Sequence, residues 1–220
     1  MPDHRTRFLR LAIAAEALRF GEFTLKSGRT SPYFFNAGRF DSGAALATLA
    51  GCYADAVDAA GVAFDLLFGP AYKGIPLATA LACEYARRGR DLPLAYDRKE
   101  AKDHGEGGTL VGAPLAGRRV LVVDDVLTAG TAVRGALAMI RAAGGRPAGV
   151  VIALDRQEVL DEASGDRRSA ADQVATTEGV PVVSIARFAD LLAFTGENAT
   201  LSSERERLLA YRARYGSAAT

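Results

Sequence analysis

Apolar positions along this chain follow two spacings that alternate from one segment to the next. Apolar residues three and four apart predict helices, and short unbroken runs of branched residues predict strands buried on both faces. Helical spacing covers 8–21, 46–57, 77–85, 133–140, 188–194 and 205–215, whereas strand runs cover 64–68, 92–97, 109–114, 119–123, 148–154 and 181–185. The alternation predicts the α/β class, with a central, mostly parallel sheet flanked by helices and with ligands at the carboxyl ends of its strands.

Three stretches break the alternation. Residues 20–40 are rich in aromatic residues, glycine, proline and serine, which predicts turns and a short strand pair that form a flap, or hood, outside the sheet. Residues 98–108 carry mixed charge and three glycines, so composition alone predicts a mobile, solvated hairpin tip. Residues 159–171 are charged and weakly patterned, which predicts a solvated loop. Because no repeat, low-complexity tract or linker separates these parts, we expect one domain over 1–220.

Composition and net charge indicate which broad class of protein this chain belongs to. Apolar residues make up 49% of the 220 residues and charged residues 24%, the balance of an ordinary globular domain. A net charge of +1 gives no overall basic field, so a nucleic-acid partner is not expected. No apolar run approaches the length of a bilayer span and the first residues do not read as a signal sequence. We therefore expect no membrane partner and a cytoplasmic location.

The run 120–132 places polar chemistry at the end of a predicted strand. Asp124 and Asp125 follow branched apolar residues, and Gly130 lies in the turn that leads into a helix. Main-chain N–H groups and the positive end of the helix dipole converge at such a turn and bind phosphate, and glycine leaves room for it. Carboxylates at this point accept hydrogen bonds from vicinal ribose hydroxyls or hold a divalent cation. The run predicts a sugar-phosphate site; the structural alternative is an ordinary strand-to-helix turn in which Asp125 caps the helix.

The run 68–76 is a second strand-to-helix junction. It places Lys73 between Gly69 and Gly74, which predicts a loop that binds pyrophosphate. The structural alternative is a Pro-Gly turn with Lys73 exposed to water, the usual environment of a lysine.

The run 120–132 resembles the 13-residue signature of the type I phosphoribosyltransferases, which use 5-phosphoribosyl-1-pyrophosphate as donor. The resemblance implies that fold and that substrate, with Asp124 and Asp125 holding the ribose hydroxyls. It also implies that the donor is bound by Val126, Leu127, Thr128, Ala129, Gly130, Thr131 and Ala132. In the second junction it implies that Tyr72 and Lys73 contact the donor, beside a non-proline cis peptide bond at Ala71-Tyr72. Mg²⁺ is the implied cofactor, and no side chain of the chain is assigned as its ligand.

Two further runs resemble the orotate phosphoribosyltransferase family. The first is 98–108, which resembles the catalytic loop of that family. The resemblance implies that cationic side chains close over the leaving pyrophosphate and exclude water: Arg98, Lys99, Lys102 and His104. In that family the loop reaches into the neighbouring subunit's site, which implies a homodimer with shared active sites.

The second is 23–36, in the hood. The resemblance implies that Lys26 contacts the phosphoribosyl donor, while Phe34 and Phe35 cover the pyrimidine ring and offer main-chain groups to its polar edge. The structural alternative is that these paired aromatic side chains belong to the core, which is the usual environment of phenylalanine. Both interpretations stay open at this point.

Arg156 follows the strand run 148–154, in the sequence LDRQE, which matches the same family. A guanidinium offers a two-pronged fork to a planar carboxylate, and orotate differs from uracil by one carboxylate. We therefore expect Arg156 to recognise orotate; the alternative is an Arg–Asp surface pair worth at most about 1 kcal/mol. Residues 159–168 are longer and more charged than the compact turn expected there, which puts the local shape in doubt but not the chemistry.

These observations predict an enzyme that transfers phosphoribosyl to orotate, giving orotidine 5′-monophosphate and pyrophosphate. It would act by positioning and charge stabilisation, without a protein nucleophile. The candidate catalytic residues are Lys73, Lys102, His104, Asp124 and Asp125. Two rivals share the fold. A purine phosphoribosyltransferase would need no carboxylate-binding arginine, and a regulator that senses the donor would need a nucleic-acid-binding face and no intact catalytic loop.

Overall fold

The computed structural model describes residues 3–25, 27–102, 108–162 and 165–218, apart from the side chains of 99–102 and 108. The helices are α1 (His4–Ala14), α2 (Gly43–Ala59), α3 (Gly74–Arg87), α4 (Thr131–Ala142), α5 (Ala170–Glu178), α6 (Phe188–Glu197) and α7 (Ser202–Tyr215). The strands are β1 (Leu18–Thr24), β2 (Thr30–Phe35), β3 (Leu66–Gly69), β4 (Leu94–Lys102), β5 (Gly108–Gly112), β6 (Arg119–Asp124), β7 (Arg146–Asp155) and β8 (Val182–Arg187). Short 3-10 turns lie at Ala37–Arg39 and Ala199–Leu201.

Six strands form the central sheet in the order β5-β4-β3-β6-β7-β8. Every neighbouring pair is parallel except β4 and β5, which form an antiparallel edge. In the central strands β6 and β7, the runs Val120–Val123 and Val150–Leu154 are buried along their whole length, as expected for parallel strands covered on both faces. The predicted α/β class with a mostly parallel sheet is confirmed. This order places the carboxyl ends of β3, β6 and β7 along one edge.

Helices cover both faces of the sheet. Side chains of α4 and α5, such as Leu137 and Val174, pack on one face. Helices α1, α2, α3, α6 and α7 pack on the other face in a larger core that includes Phe8, Tyr53 and Leu191. None of the helices within the described ranges combines the length and apolar character needed to cross a bilayer.

The hood is the antiparallel pair β1–β2, outside the central sheet. The predicted opening helix over 8–21 was too long: α1 ends at Ala14, and the apolar residue Leu18 begins β1 instead. Glu16 takes a left-handed backbone conformation, with φ of 53°, which ends the helix before the periodic pattern does. The helix pattern and the strand pattern overlap in this stretch, so spacing alone placed the boundary wrongly.

The stretch 98–108 also differs from its prediction. Strand β4 continues through the first residues of the predicted loop as far as Lys102, which pairs with Gly108 at the start of β5. Residues 103–107 lie outside the described part of the chain. The strand therefore extends further into this stretch than predicted, although its register with β5 is irregular between Asp97 and Lys102. The catalytic role of the stretch 98–108 stays a prediction.

The described parts of the stretch 159–171, which are 159–162 and 165–171, pack and pair more than a solvated loop would. Val159 is fully buried, its N–H donates to the carbonyl of Tyr215 at 2.9 Å, and its carbonyl accepts from the Arg29 guanidinium at 2.7 Å. Ser169 and Asp172 then cap α5 reciprocally. The sequence pattern missed this helix because its buried face consists of two alanines and one valine, which give little periodic signal.

Candidate active site

Strand β6 delivers two adjacent carboxylates to the edge of the sheet. Asp124 and Asp125 are 8% and 6% exposed. The N–H of Asp125 donates to the Asp124 carboxylate at 2.9 Å, and the N–H of Val126 donates to the Asp125 carboxylate at 2.9 Å. The Tyr53 hydroxyl holds the carbonyl of Asp124 at 2.8 Å. Local main-chain bonds and one buried tyrosine therefore fix both carboxylates where the strand ends.

Burial and the neighbouring carboxylate set the charge state of Asp124. Desolvation raises the pKa of Asp124 to about 7, and the neighbouring charge of Asp125 adds to the effect. The Lys73 ammonium lies 2.7 Å from the Asp125 carboxylate, while more than half of the lysine side chain stays exposed. Lys73 of the run 68–76 thus neutralises the Asp125 carboxylate of the run 120–132. The two motifs form one site.

The turn after the carboxylates leads directly into α4. Gly130 takes the left-handed conformation, with φ of 72°, and a Cβ there would come within 2.9 Å of Val174. No side chain in the described ranges caps α4, although Asp3, Ser42 and Ser169 cap α1, α2 and α5. The first N–H groups of α4 therefore stay available to an anion.

Most side chains of the predicted phosphate cradle line its open side. Exposed side chains belong to Thr128, Ala129, Thr131 and Ala132. Leu127 instead packs in the core below α4, so only its main chain can meet a ligand, and Val126 is half-buried against the opposite core. Arg134, which the sequence did not single out, donates to the carbonyl of Ala129 at 2.6 Å and braces the turn.

The loop between β3 and α3 is tightly packed at both ends. A Cβ on Gly69 would come within 2.5 Å of the carbonyl oxygen of Gly74, and a Cβ on Gly74 would come within 2.7 Å of the carbonyl oxygen of Val123, so both positions require glycine. The peptide bond Ala71-Tyr72 is cis, as the family resemblance implied. The N–H of Ala71 donates to the Asp97 carboxylate of β4 at 2.6 Å, and Tyr72 is 65% exposed beside it. Asp97 is a residue that sequence reasoning missed here.

The predicted cationic loop is described only in part. Arg98 lies on β4, and its Nε is buried without a hydrogen-bond partner within the described ranges. The side chains of Lys99 and Lys102, and all of His104, lie outside the described residues, as does Lys26 of the hood. The structure therefore neither places these four side chains nor tests their roles.

The hood strand β2 turns its aromatic residues to alternate sides. Phe35 is 7% exposed and packs on Phe8 and Phe40, with ring centroids 6.0 Å and 6.3 Å apart. Its side chain is core, as the structural alternative expected, and contact of its main chain with the pyrimidine stays a prediction. Phe34 is half-buried and packs on Phe23, at 5.5 Å between centroids, which leaves it available at the hood surface.

Arg156 follows β7, as predicted, but it is not an exposed residue. Its Nε donates to the Glu158 carboxylate at 3.0 Å, and its guanidinium lies 4.7 Å from the ring centre of Tyr33 in the hood. Burial disfavours the charge, but Tyr33 and Glu158 outweigh it and raise the pKa of Arg156. The expected alternative, a surface pair with an aspartate, does not describe this contact. Sequence reasoning missed both partners, although Glu158 lies within the quoted LDRQE run.

Comparisons with known proteins agree with this geometry. A family model described as "Phosphoribosyl transferase domain" matches residues 40–182. The chain is 73% identical over 220 residues, all of both chains, to an orotate phosphoribosyltransferase of Xanthomonas oryzae pv. oryzae. It is 67% identical over 216 residues, 98% of each chain, to one from Stenotrophomonas maltophilia.

A solved structure gives the same result. The crystal structure of an orotate phosphoribosyltransferase from Francisella tularensis superposes with a TM-score of 0.85 at 41% identity, over 96% of this chain and 99% of that one. The fold is therefore the type I phosphoribosyltransferase fold, and the chain belongs to the orotate phosphoribosyltransferase family.

Proposed function

We propose that this chain transfers the phosphoribosyl group of 5-phosphoribosyl-1-pyrophosphate to orotate, releasing orotidine 5′-monophosphate and pyrophosphate. The observation that carries the proposal is the 2.7 Å ion pair between Lys73 and Asp125. It joins a loop suited to pyrophosphate to a carboxylate pair suited to ribose, which are the two parts of the donor that separate in the reaction. Full-length likeness to the orotate family does not favour a purine-transferring enzyme or a regulator.

The donor's ribose and 5′-phosphate fit the end of β6 and the start of α4. Asp124 and Asp125 would accept hydrogen bonds from the two vicinal hydroxyls. The main-chain N–H groups of 128–132, with the hydroxyls of Thr128 and Thr131, would hold the 5′-phosphate at the uncapped helix end. This arrangement fixes the sugar and leaves its anomeric carbon between the two substrates.

The leaving pyrophosphate fits the side of the site that carries the cationic residues. The bond from the anomeric carbon to the pyrophosphate oxygen breaks, and the oxygen keeps the electron pair. A ring nitrogen of orotate forms the new bond and loses its N–H proton to the pyrophosphate or to water. Charge therefore grows on pyrophosphate, where cations stabilise it best. We assign that task to Lys73 of the loop, Arg98 of β4, and Lys99, Lys102 and His104, while Tyr72 would contact the donor as a neutral group. Lys102 is our first choice for the largest effect on turnover.

The acceptor fits between hood and sheet. Phe34 offers a half-buried ring beside main-chain groups, and Arg156 offers guanidinium hydrogens to the carboxylate that distinguishes orotate from uracil. Lys26, which follows β1, would contact the donor from the hood side. The ring of Phe35 takes no part, since it belongs to the core.

Mg²⁺ fits this site as an ion that arrives with the donor. Within the described ranges no three His, Cys, Asp or Glu side chains are grouped to hold a metal. Mg²⁺ keeps several waters and binds through one or two carboxylates plus substrate phosphates. Asp124 and Asp125 are the carboxylates available to it, and their like charges favour a cation nearby. When bound, the ion would neutralise charge on the leaving pyrophosphate.

We also propose a cytoplasmic homodimer in which the loop 98–108 of each subunit serves its partner's site. Mixing two strongly impaired variants tests the sharing. Lys102→Ala lacks the loop cation, and Asp125→Asn lacks the ribose carboxylate. If the loop acts across the dimer, a hybrid keeps one intact site, and an equal mixture recovers about a quarter of wild-type activity after subunit exchange. No recovery, with exchange verified by native mass spectrometry, would rule out sharing.

The activity itself is tested by orotate-dependent release of pyrophosphate, with and without Mg²⁺. We expect release with orotate and Mg²⁺ and little without the metal. Adenine, hypoxanthine and xanthine should neither support release nor compete with orotate. Release with a purine and none with orotate would replace the proposal by the purine alternative.

A further inference from the structure

The Arg156 guanidinium is held from two sides by residues that are far apart in sequence. Its Nε donates to Glu158 Oε1 at 3.0 Å, and its Nη2 lies 2.8 Å from the same oxygen. Tyr33, a fully buried residue of the hood, lies beneath the guanidinium at 4.7 Å and donates its hydroxyl to Glu158 Oε1 at 3.2 Å. One carboxylate oxygen therefore ties the arginine to the hood.

The main chain around this cluster is fixed as well. The N–H of Gln157 donates to the Asp155 carboxylate at 2.9 Å, in a turn where Gln157 adopts a φ of 48°. The side chain of Gln157 accepts from the N–H of Ala189 at 2.9 Å, at the start of α6. Glu158 pairs with Gly216 after α7. Arg156 thus projects from a turn that is anchored on both of its sides.

Glu158 contacts one edge of the guanidinium. Its Oε1 lies against both Nε and Nη2, at 3.0 Å and 2.8 Å, and Nη2 is buried. A guanidinium has five N–H donors in a rigid plane, so fixing the Nε edge also fixes the direction of the Nη1–Nη2 fork. The fork is the part that binds a planar carboxylate through two parallel bonds.

We propose that Glu158 and Tyr33 are positioning residues that aim the Arg156 fork at the carboxylate of the acceptor, so that the hood contributes to the choice of substrate through Tyr33. The inference rests on the proposed function. It assigns no contact between Glu158 or Tyr33 and the substrate. Both act through Arg156, and their removal changes how orotate is held rather than how the donor reacts.

The test is steady-state kinetics of Glu158→Gln and Tyr33→Phe with both substrates varied. Glu158→Gln removes the anchoring charge at constant size, and we expect KM for orotate to rise about tenfold. Tyr33→Phe keeps the ring and loses only the hydroxyl, and we expect a rise of about threefold. In both variants kcat and KM for the donor should stay within about twofold of wild type.

Two variants elsewhere serve as matched controls. Tyr85→Phe removes a tyrosine hydroxyl bonded to the Asp58 carboxylate at 2.9 Å, and Glu178→Gln removes a half-buried carboxylate paired with Arg141 at 2.7 Å. Neither should change KM for orotate. Thermal unfolding of all four variants shows whether a loss of stability accompanies any change in kinetics.

A double-mutant cycle separates positioning from general structural support. In an Arg156→Lys background, Glu158→Gln should cause no further rise in KM for orotate, because the group it positions is already gone. Additive rises in the cycle, or parallel rises in KM for both substrates, would overturn the proposal. So would a lower KM for orotate in Glu158→Gln, which would mean that Glu158 competes with the acceptor. Absence of orotate turnover in wild type would contradict the proposed function instead.

Discussion

The donor end of the site and its acceptor end are built in opposite ways. The donor end consists of Asp124, Asp125, the turn up to Ala132, and the loop that carries Lys73. It places two buried like charges side by side, which raises the pKa of Asp124, and leaves a helix end uncapped. The acceptor end consists of Tyr33, Phe34, Arg156 and Glu158, and its buried charge is already paired.

This difference indicates which interactions with a ligand supply binding energy at each end of the site. The donor end is electrostatically incomplete, so it favours ligands that bring hydroxyl donors, phosphate and a cation. At the acceptor end the charge of Arg156 is already paired with Glu158, so a ligand adds binding energy only when its geometry matches the guanidinium. We therefore expect substitutions at the donor end to cost far more than substitutions at the acceptor end.

The largest effect on kcat/KM for the donor should come from Asp125→Asn. The change removes the partner of Lys73 and one acceptor for the ribose hydroxyls, and charge-assisted hydrogen bonds contribute about 1.5 to 3 kcal/mol each. We expect kcat/KM for the donor to fall about 100-fold, while the KM for orotate changes little. Steady-state kinetics with the donor varied measures it. If the donor's kinetics stay normal, Asp125 merely caps the turn, as the structural alternative had it.

The next effect should come from Lys102→Ala, with kcat lowered more than tenfold in a protein that stays folded. Of the 27 lysine and arginine residues in the chain, only Lys26, Lys73, Lys99 and Lys102 are lysines, and each was predicted at the site from its motif. A compact ammonium is not interchangeable with a guanidinium. We therefore expect Lys102→Arg to stay impaired, and near-normal turnover of either variant would remove this residue from the mechanism.

A smaller effect should follow at the acceptor end from Arg156→Lys, which keeps the charge and loses the fork. KM for orotate should rise more than tenfold, and KM for the donor should not change. This variant also tests selectivity between orotate and uracil. Because only orotate carries the carboxylate, the ratio of kcat/KM for orotate to that for uracil should fall in this variant. An unchanged ratio would place recognition of the acceptor elsewhere, and would weaken the contrast between the two ends.

Sequence revealed the donor end more fully than the acceptor end, and the reason is physical. Asp124 to Ala132 lie on one strand, turn and helix, so consecutive residues carry the whole pattern. The acceptor end joins Tyr33, Arg156 and Glu158, which meet only after the hood folds against the end of β7. Sequence spacing could place Arg156 at a strand end but gave no sign of its partners.

The same reasoning explains which secondary-structure elements were predicted wrongly from the sequence. Strands β6 and β7 were found because burial on both faces gives continuous apolar runs. The start of β1 was assigned to a helix because apolar residues continued the helical spacing past Glu16. The ordered start of 159–171 was missed because Arg29 and Tyr215 hold its main chain, and main-chain bonds leave no mark on the sequence.

The smallest effect concerns stability. It tests whether the buried charge of Asp124 destabilises the donor end of the ligand-free protein. The pKa of Asp124 is about 7 in the folded chain, whereas its ordinary value is 3.8. Between pH 3.8 and pH 7 the folded state therefore keeps a proton on Asp124 that the unfolded state has lost. Stability therefore falls as pH rises through that window, and the full penalty of the buried charge is present above pH 7. Asp124→Asn is permanently neutral, so it should raise Tm of the ligand-free protein at pH 8 by about 3 °C or more.

At pH 5 wild type carries a protonated Asp124, so the same substitution should change Tm much less. Asp65→Asn is the control, because Arg119 lowers the pKa of the exposed Asp65 carboxyl and its loss cannot stabilise the protein at pH 8. Differential scanning fluorimetry at both pH values measures all three proteins. Equal shifts of Tm at pH 5 and pH 8 would show that the gain comes from packing rather than charge. The donor end would then not be held in a destabilised state that its ligands relieve.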